Sequence, residues 1–207
     1  MPYYKDVNLL FIHIPKTGGT VIEKEIKKLY KETLYSGRTN NILESPYNSK
    51  SLQHQFYNTI YKYNKKLDVN FDNIKIFTVV RNPYDRIISD LFWHKLITKK
   101  SKPDEIFKII KNNYLNKDTF DNHNEPQYKF ITDNDMKIIP NILIFKCELL
   151  NENNKELNDY IGFKINIIRD NVNKDYSKYI NKNTIALVND FYKKDFELFN
   201  YDMIKNN

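Results

Sequence analysis

The chain has 207 residues, 41% hydrophobic and 29% charged, the balance of a soluble globular protein with enough length for one domain and a substantial core. A single cysteine, Cys147, excludes an internal disulfide and a cysteine-rich metal site, and no apolar run approaches the ~20 residues that a membrane span requires. The net charge of +7 favours an anionic partner, yet its lysines are scattered as Lys24/Lys27/Lys28, Lys65/Lys66 and Lys99/Lys100/Lys102, so no basic block marks a nucleic-acid site. The polar N-terminus does not have the pattern of a signal peptide, and a cytoplasmic location is the expectation.

The first element is a short buried strand over Val7 to Ile14, interrupted by Asn8 and His13. It breaks at Pro15, passes Lys16-Thr17-Gly18-Gly19-Thr20, and restarts in a helical pattern expected from Gly19 to Lys31, with Val21, Ile22 and Ile26 on one face. Strand, tight loop and helix N-terminus together make an anion site. The first backbone N–H groups of a helix are unpaired, its dipole favours negative charge, and glycine lets an oxyanion approach the backbone. Lys16 adds a mobile cation, and Thr17 and Thr20 add hydroxyls. This is not the common nucleoside-triphosphate loop, whose Lys follows its glycines; here Lys16 precedes Gly18 and Gly19.

Thr33 to Lys50 is polar and reads as a long surface connection. Ser51 is placed as the N-cap of a helix running through about Tyr63, and His54 lies on it. Ile74 to Val80 is the best strand signal in the chain, rich in β-branched and aromatic residues. It ends at Arg81-Asn82-Pro83, and a helix follows from Tyr84 to Ile97 with Ile87, Ile88, Leu91 and Phe92 inward. Further helices are expected over Pro103 to Leu115, Glu152 to Tyr160 with Gly162 as its stop, and Thr184 to Phe199. Gln127 to Ile131 reads as a helical turn, and Asn141 to Lys146 as a third strand ending beside a buried Cys147.

Alternating strands and helices predict one α/β domain over residues 1–207, a P-loop-like three-layer arrangement with a short, mainly parallel central sheet flanked by helices. Ligands in such sheets sit beyond the carboxyl ends of the strands, where the pattern puts both Lys16 and Arg81. Arg81 offers a bidentate fork to a phosphate, and Ser89, about two helical turns in, offers a hydroxyl to the same group. Two anion sites on one sheet edge imply a ligand with two separate anionic groups.

Ile14-Pro15-Lys16-Thr17-Gly18-Gly19-Thr20, taken with Val80-Arg81-Asn82-Pro83-Tyr84-Asp85-Arg86 and Ser89, resembles the sulfotransferase family, most closely its carbohydrate branch of heparan and chondroitin type. The likeness extends downstream through Pro126-Gln127, Cys147-Glu148-Leu149, Asn173-Lys174-Asp175-Tyr176 and Lys194-Asp195-Phe196. It implies 3′-phosphoadenosine 5′-phosphosulfate (PAPS) as co-substrate. In the family the first loop, here Pro15, Lys16, Thr17, Gly18, Gly19 and Thr20, holds the 5′-phosphosulfate, while Arg81 and Ser89 match the residues that hold the 3′-phosphate. Sulfuryl transfer is an in-line displacement governed by positioning and electrostatics, with Lys16 aimed at the leaving group.

The acceptor hydroxyl needs a base, and the resemblance points to His54. His123 is the second candidate, Asp121 or Glu125 are carboxylate alternatives, and His123 and Gln127 fall where the acceptor would bind. His13 suits packing or the orientation of Lys16, and His94 an exposed position near the nucleotide. Arg86 suits either support of the 3′-phosphate loop or the acceptor, or a salt bridge on its own helix. Asn173, Lys174 and Tyr176 match a late loop over the nucleotide. The expected partners are an anionic nucleotide and a glycan acceptor, with no metal, nucleic acid or membrane span. Two other functions compete: a nucleotide kinase or other phosphotransferase, and a non-catalytic nucleotide-binding homologue.

Overall fold

A computed structural model describes residues 1–31, 42–115, 120–167 and 176–205. Its centre is a four-stranded sheet in the order β1 (Tyr3–Tyr4), β2 (Leu9–Ile12), β3 (Lys75–Val80) and β4 (Ile142–Lys146). β2, β3 and β4 run parallel, with Phe11 opposite Phe77 and Phe77 opposite Leu143, and β1 adds an antiparallel edge. The three parallel strands lie where the sequence places them. β1 is an addition, since two tyrosines are too short a run to carry an alternating pattern.

The strands alternate between two buried faces, as a parallel sheet covered on both sides requires. Leu10, Ile12, Ile76 and Val80 pack into one core with Leu52, Ile60 and Phe130. Leu9, Phe11, Phe77, Val79 and Phe145 pack into the other, with Ile22 and Ile26 of α1 (Gly19–Lys27), Leu157 and Ile161 of α5 (Asn154–Ile161), and Cys147. Each such side chain contributes ~1.5–3 kcal/mol on burial. A third cluster joins α3 (Pro83–Trp93), α4 (Pro103–Ile109) and α6 (Lys182–Phe191) through Ile87, Leu91, Ile106 and Val188.

Several expected helices are shorter or broken, each for a local reason. α3 stops at Trp93 because Lys95 turns left-handed (φ 57°) and the Leu96 N–H closes back onto the Leu91 carbonyl at 2.9 Å. α4 widens into a π turn over Ile110–Tyr114. The last helix divides at Tyr192 into α6 and α7 (Lys193–Leu198). That break points Asp195 inward, where it accepts from the Gln127 and Tyr128 amides at 2.8 and 2.9 Å. Gly162 ends α5 at φ 88°, donating to the Asn158 carbonyl at 2.9 Å.

The expected helix over residues 52–63 is also revised. Leu52–His54 forms a 3-10 turn, the chain runs extended at Gln55 and Phe56, and α2 spans only Tyr57–Lys62. Ser51 does not cap it, because both its N–H and its hydroxyl are taken by the Asp121 carboxylate at 2.7 Å. His54 therefore sits at the end of a turn tied to a distant loop, not on a helix.

Candidate active site

The loop after β2 owes its shape to one internal hydrogen bond, two left-handed residues and one close approach. Thr17 is fully buried and its hydroxyl donates to the Ile14 carbonyl at 2.8 Å, so this side chain closes the loop from inside. Lys16 occupies the left-handed region at φ 66°, uncommon for a residue with a Cβ, and Gly18 follows at φ 90°. At Gly19 a Cβ would come within 2.8 Å of the His13 ring and 2.9 Å of Phe11, so only glycine lets α1 start this near β2. Thr20 is exposed and Pro15 buried.

The second junction follows β3, and parallel pairing sets it on the same sheet edge as the first. Asn82 caps α3 by accepting from the Tyr84 N–H at 3.0 Å, with Pro83 in the first turn. The Arg81 guanidinium donates to the Lys16 carbonyl at 3.2 Å and lies 5.7 Å from the Tyr176 ring centre, so it joins the two loops and meets the start of the last described segment. Asn173 and Lys174 lie outside the described residues. Ser89 is half-buried on α3.

Gln127 has a different place from the one expected of it. It is fully buried, and its amide accepts from the Arg81 N–H and donates to the Arg81 carbonyl, both at 2.8 Å. These two bonds fix the backbone of Arg81 from inside the core.

Arg86 resolves differently from either expectation. Only 2% exposed, it donates to the carbonyls of Pro15 (3.0 Å), Glu125 (2.8 Å) and His123 (2.7 Å). One guanidinium thus ties the first loop to the loop carrying His123. Arg86→Met is expected to lower stability by about 3 kcal/mol, because three carbonyls lose a charged donor. The unfolding midpoint should fall by roughly 6–12 °C. Arg86→Lys, which lacks the fork, should recover only part of it. An unchanged thermal denaturation curve would contradict this role.

All four histidines fall in one row. Ring centres are 5.6 Å apart for His13 and His54, 4.7 Å for His54 and His123, and 5.1 Å for His123 and His94. Each ring faces a carboxylate. His13 Nδ1 pairs with buried Glu23, and burial, which would raise that carboxyl, is outweighed by hydrogen bonds from His13 and Gln53 that lower it. His54 Nδ1 donates to Asp121 at 2.8 Å, and His123 Nδ1 to fully buried Asp90 at 2.8 Å. His94 lies 3.6 Å from the same Asp90 and is half-buried rather than exposed.

Burial pulls His54 down to about 4; the Asp121 hydrogen bond opposes this, and His123 and His13 add to it. Asp121 is held at about 2, because hydrogen bonds from His54 and Ser51 outweigh the effect of burial. Near neutral pH Asp121 is therefore an anion that can only accept. The proton of His54 stays on Nδ1 and Nε2 keeps its lone pair. Burial also lowers His94; the Asp90 carboxylate opposes this, and His123 and Lys16 add to it.

Two sets, His54 with Asp121 and His123, and Asp90 with His94 and His123, bring nitrogen and oxygen atoms within 4.8 Å of one another. These are donor types that transition metals accept, although the same atoms already pair as imidazole and carboxylate.

Asp121, expected only as a substitute base, is instead the partner of His54. Asp121 and Asn122 are both left-handed (φ 50° and 64°), and the Asn122 amide donates to the His54 carbonyl at 2.9 Å. Glu125 pairs with Lys129 at 2.7 Å. The one local hint of the row was the Asp90–His94 spacing of one helical turn on α3.

No curated protein and no solved structure matches this sequence. The family model of the sulfotransferase family does, over residues 3–202, a span that takes in both junction loops, the histidine row and every strand. With that span covering nearly the whole chain, the chain belongs to the sulfotransferase family.

Proposed function

We propose that the protein moves the sulfuryl group of PAPS to a hydroxyl of a carbohydrate acceptor. The observation that carries this reading is the joining of the two anion loops on one sheet edge, with the Arg81 guanidinium bonded to the Lys16 carbonyl. The left-handed Lys16 and the glycine-only approach at Gly19 are the features of a backbone shaped for a phosphate group. Pro15, Lys16, Gly18, Gly19 and Thr20 would hold the 5′ side, with Thr17 acting through its position in the loop. Arg81 and Ser89 would hold the 3′-phosphate. The donor supplies an activated sulfur–oxygen bond.

His54 accepts the acceptor's proton on Nε2 as the acceptor oxygen bonds to sulfur. Lys16 neutralises the charge that grows on the phosphate oxygen as the old bond breaks. Asp121 keeps the ring in the tautomer this requires. The carbohydrate acceptor rests on the likeness of the two motifs to that branch and accords with the net charge of +7, which suits an acidic glycan.

Thermal shift separates this reading from a nucleotide kinase. The product 3′-phosphoadenosine 5′-phosphate at ~100 times its Kd should stabilise the protein by about 2.7 kcal/mol, or roughly 5–10 °C. ATP with Mg²⁺ should do far less, and stabilisation by ATP–Mg²⁺ alone would favour the kinase. Among the described residues no helix is long and apolar enough to cross a membrane.

A further inference from the structure

Trp93 ends α3 and is 63% exposed, a conspicuous position for the one tryptophan of the chain. Its ring is not idle: the Lys16 ammonium stands over it, 4.4 Å from the ring centre. The next residue, His94, is the end of the histidine row and lies in the field of the same ammonium. Lys16 leaves its loop from a left-handed backbone, and its ammonium lies over the end of α3.

We propose that Trp93 is a positioning residue for Lys16: its indole face holds the ammonium in the donor-free protein, and donor binding draws the ammonium off that face. This rests on the donor reading above. An ammonium on an exposed indole is held weakly, so a phosphate group in the loop can displace the contact. The face steadies a long side chain beside the place it must act without competing strongly for it. Because the contact exists only in the donor-free state, removing it raises that state in free energy and leaves the bound state unchanged. Nucleotide binding then becomes tighter, whereas a tryptophan that touched the nucleotide would have the opposite effect when removed.

With one tryptophan, the indole emission reports Trp93 alone. Calorimetry first measures the affinity for 3′-phosphoadenosine 5′-phosphate; emission is then followed over the same titration. The expected result is a change in emission with a midpoint matching the calorimetric Kd, absent in Lys16→Met. Trp93→Leu should bind the nucleotide roughly two- to five-fold more tightly, the worth of an exposed cation–π contact, and Trp93→Phe, with a smaller face, should fall between it and the wild type. Calorimetric binding without a change in emission, or an unchanged or weakened affinity in Trp93→Leu, would overturn the proposal and leave the donor reading standing. No calorimetric binding at all would remove the donor reading and this proposal with it.

Discussion

Lys16→Met should lower the rate of sulfuryl transfer by roughly 10²–10³-fold while leaving the fold unchanged, the range seen when one preorganised charge-stabilising donor is removed from an active site. Methionine keeps most of the length of the side chain and faces the same left-handed backbone at φ 66°, so the loop gains no new strain. The structural bonds of the loop come from elsewhere: Thr17 to Ile14, Arg86 to Pro15, and Arg81 to the Lys16 carbonyl, which methionine retains. The loss should therefore fall on kcat more than on nucleotide affinity, because the ammonium matters most when charge develops on the leaving oxygen. Transfer of labelled sulfate from PAPS to a glycan mixture measures it. A variant with an intact kcat and a raised KM would place Lys16 in binding alone.

His54→Ala should reduce transfer by roughly 10²–10⁴-fold, the usual contribution of a general base, and keep the thermal shift with 3′-phosphoadenosine 5′-phosphate. Full activity in this variant would move the base to another member of the row, with His123 next to be tested. The pH dependence is distinctive. A base at about 4 stays neutral through the physiological range, so the acid limb of kcat/KM should fall near pH 4 and not near the 6.5 of an ordinary histidine.

Stability carries the same signature. Above pH 6.5 His54 is neutral in both folded and unfolded chains. Between 6.5 and about 4 the unfolded chain takes up a proton that the folded one resists, so stability falls as pH falls, by up to about 3 kcal/mol from this group. His54→Ala should show a shallower decline over that window in chemical denaturation. An equal slope in both proteins would show that the His54 ring is not held neutral.

The parallel strands β2, β3 and β4 and the two junctions were legible because their signals are local. A run of β-branched residues ending in Arg81-Asn82-Pro83 states a strand, a cap and a helix start within ten positions. The split of α6 from α7 was not legible, since Ile185, Val188 and Phe196 keep a helical period across it. The break brings Asp195 to the amides of Gln127 and Tyr128, 68 and 67 residues away in sequence. His54 was named as a base on a helix, and its true setting, a turn held by Asp121, depends on a partner 67 residues along the chain.

From sequence alone, then, came the α/β class, the two strand–helix junctions and the family resemblance, because hydrophobic period, caps and glycine positions act between near neighbours. Only the tertiary structure decided which polar groups pair with which. Gln127 and Thr17 proved to be internal ties, Arg86 a clip across three carbonyls, and the four histidines a single row backed by Glu23, Asp121 and Asp90. A hydrogen bond forms or fails over a few tenths of an ångström. Such distances are set when sheet and helices pack, and no spacing along the chain records them.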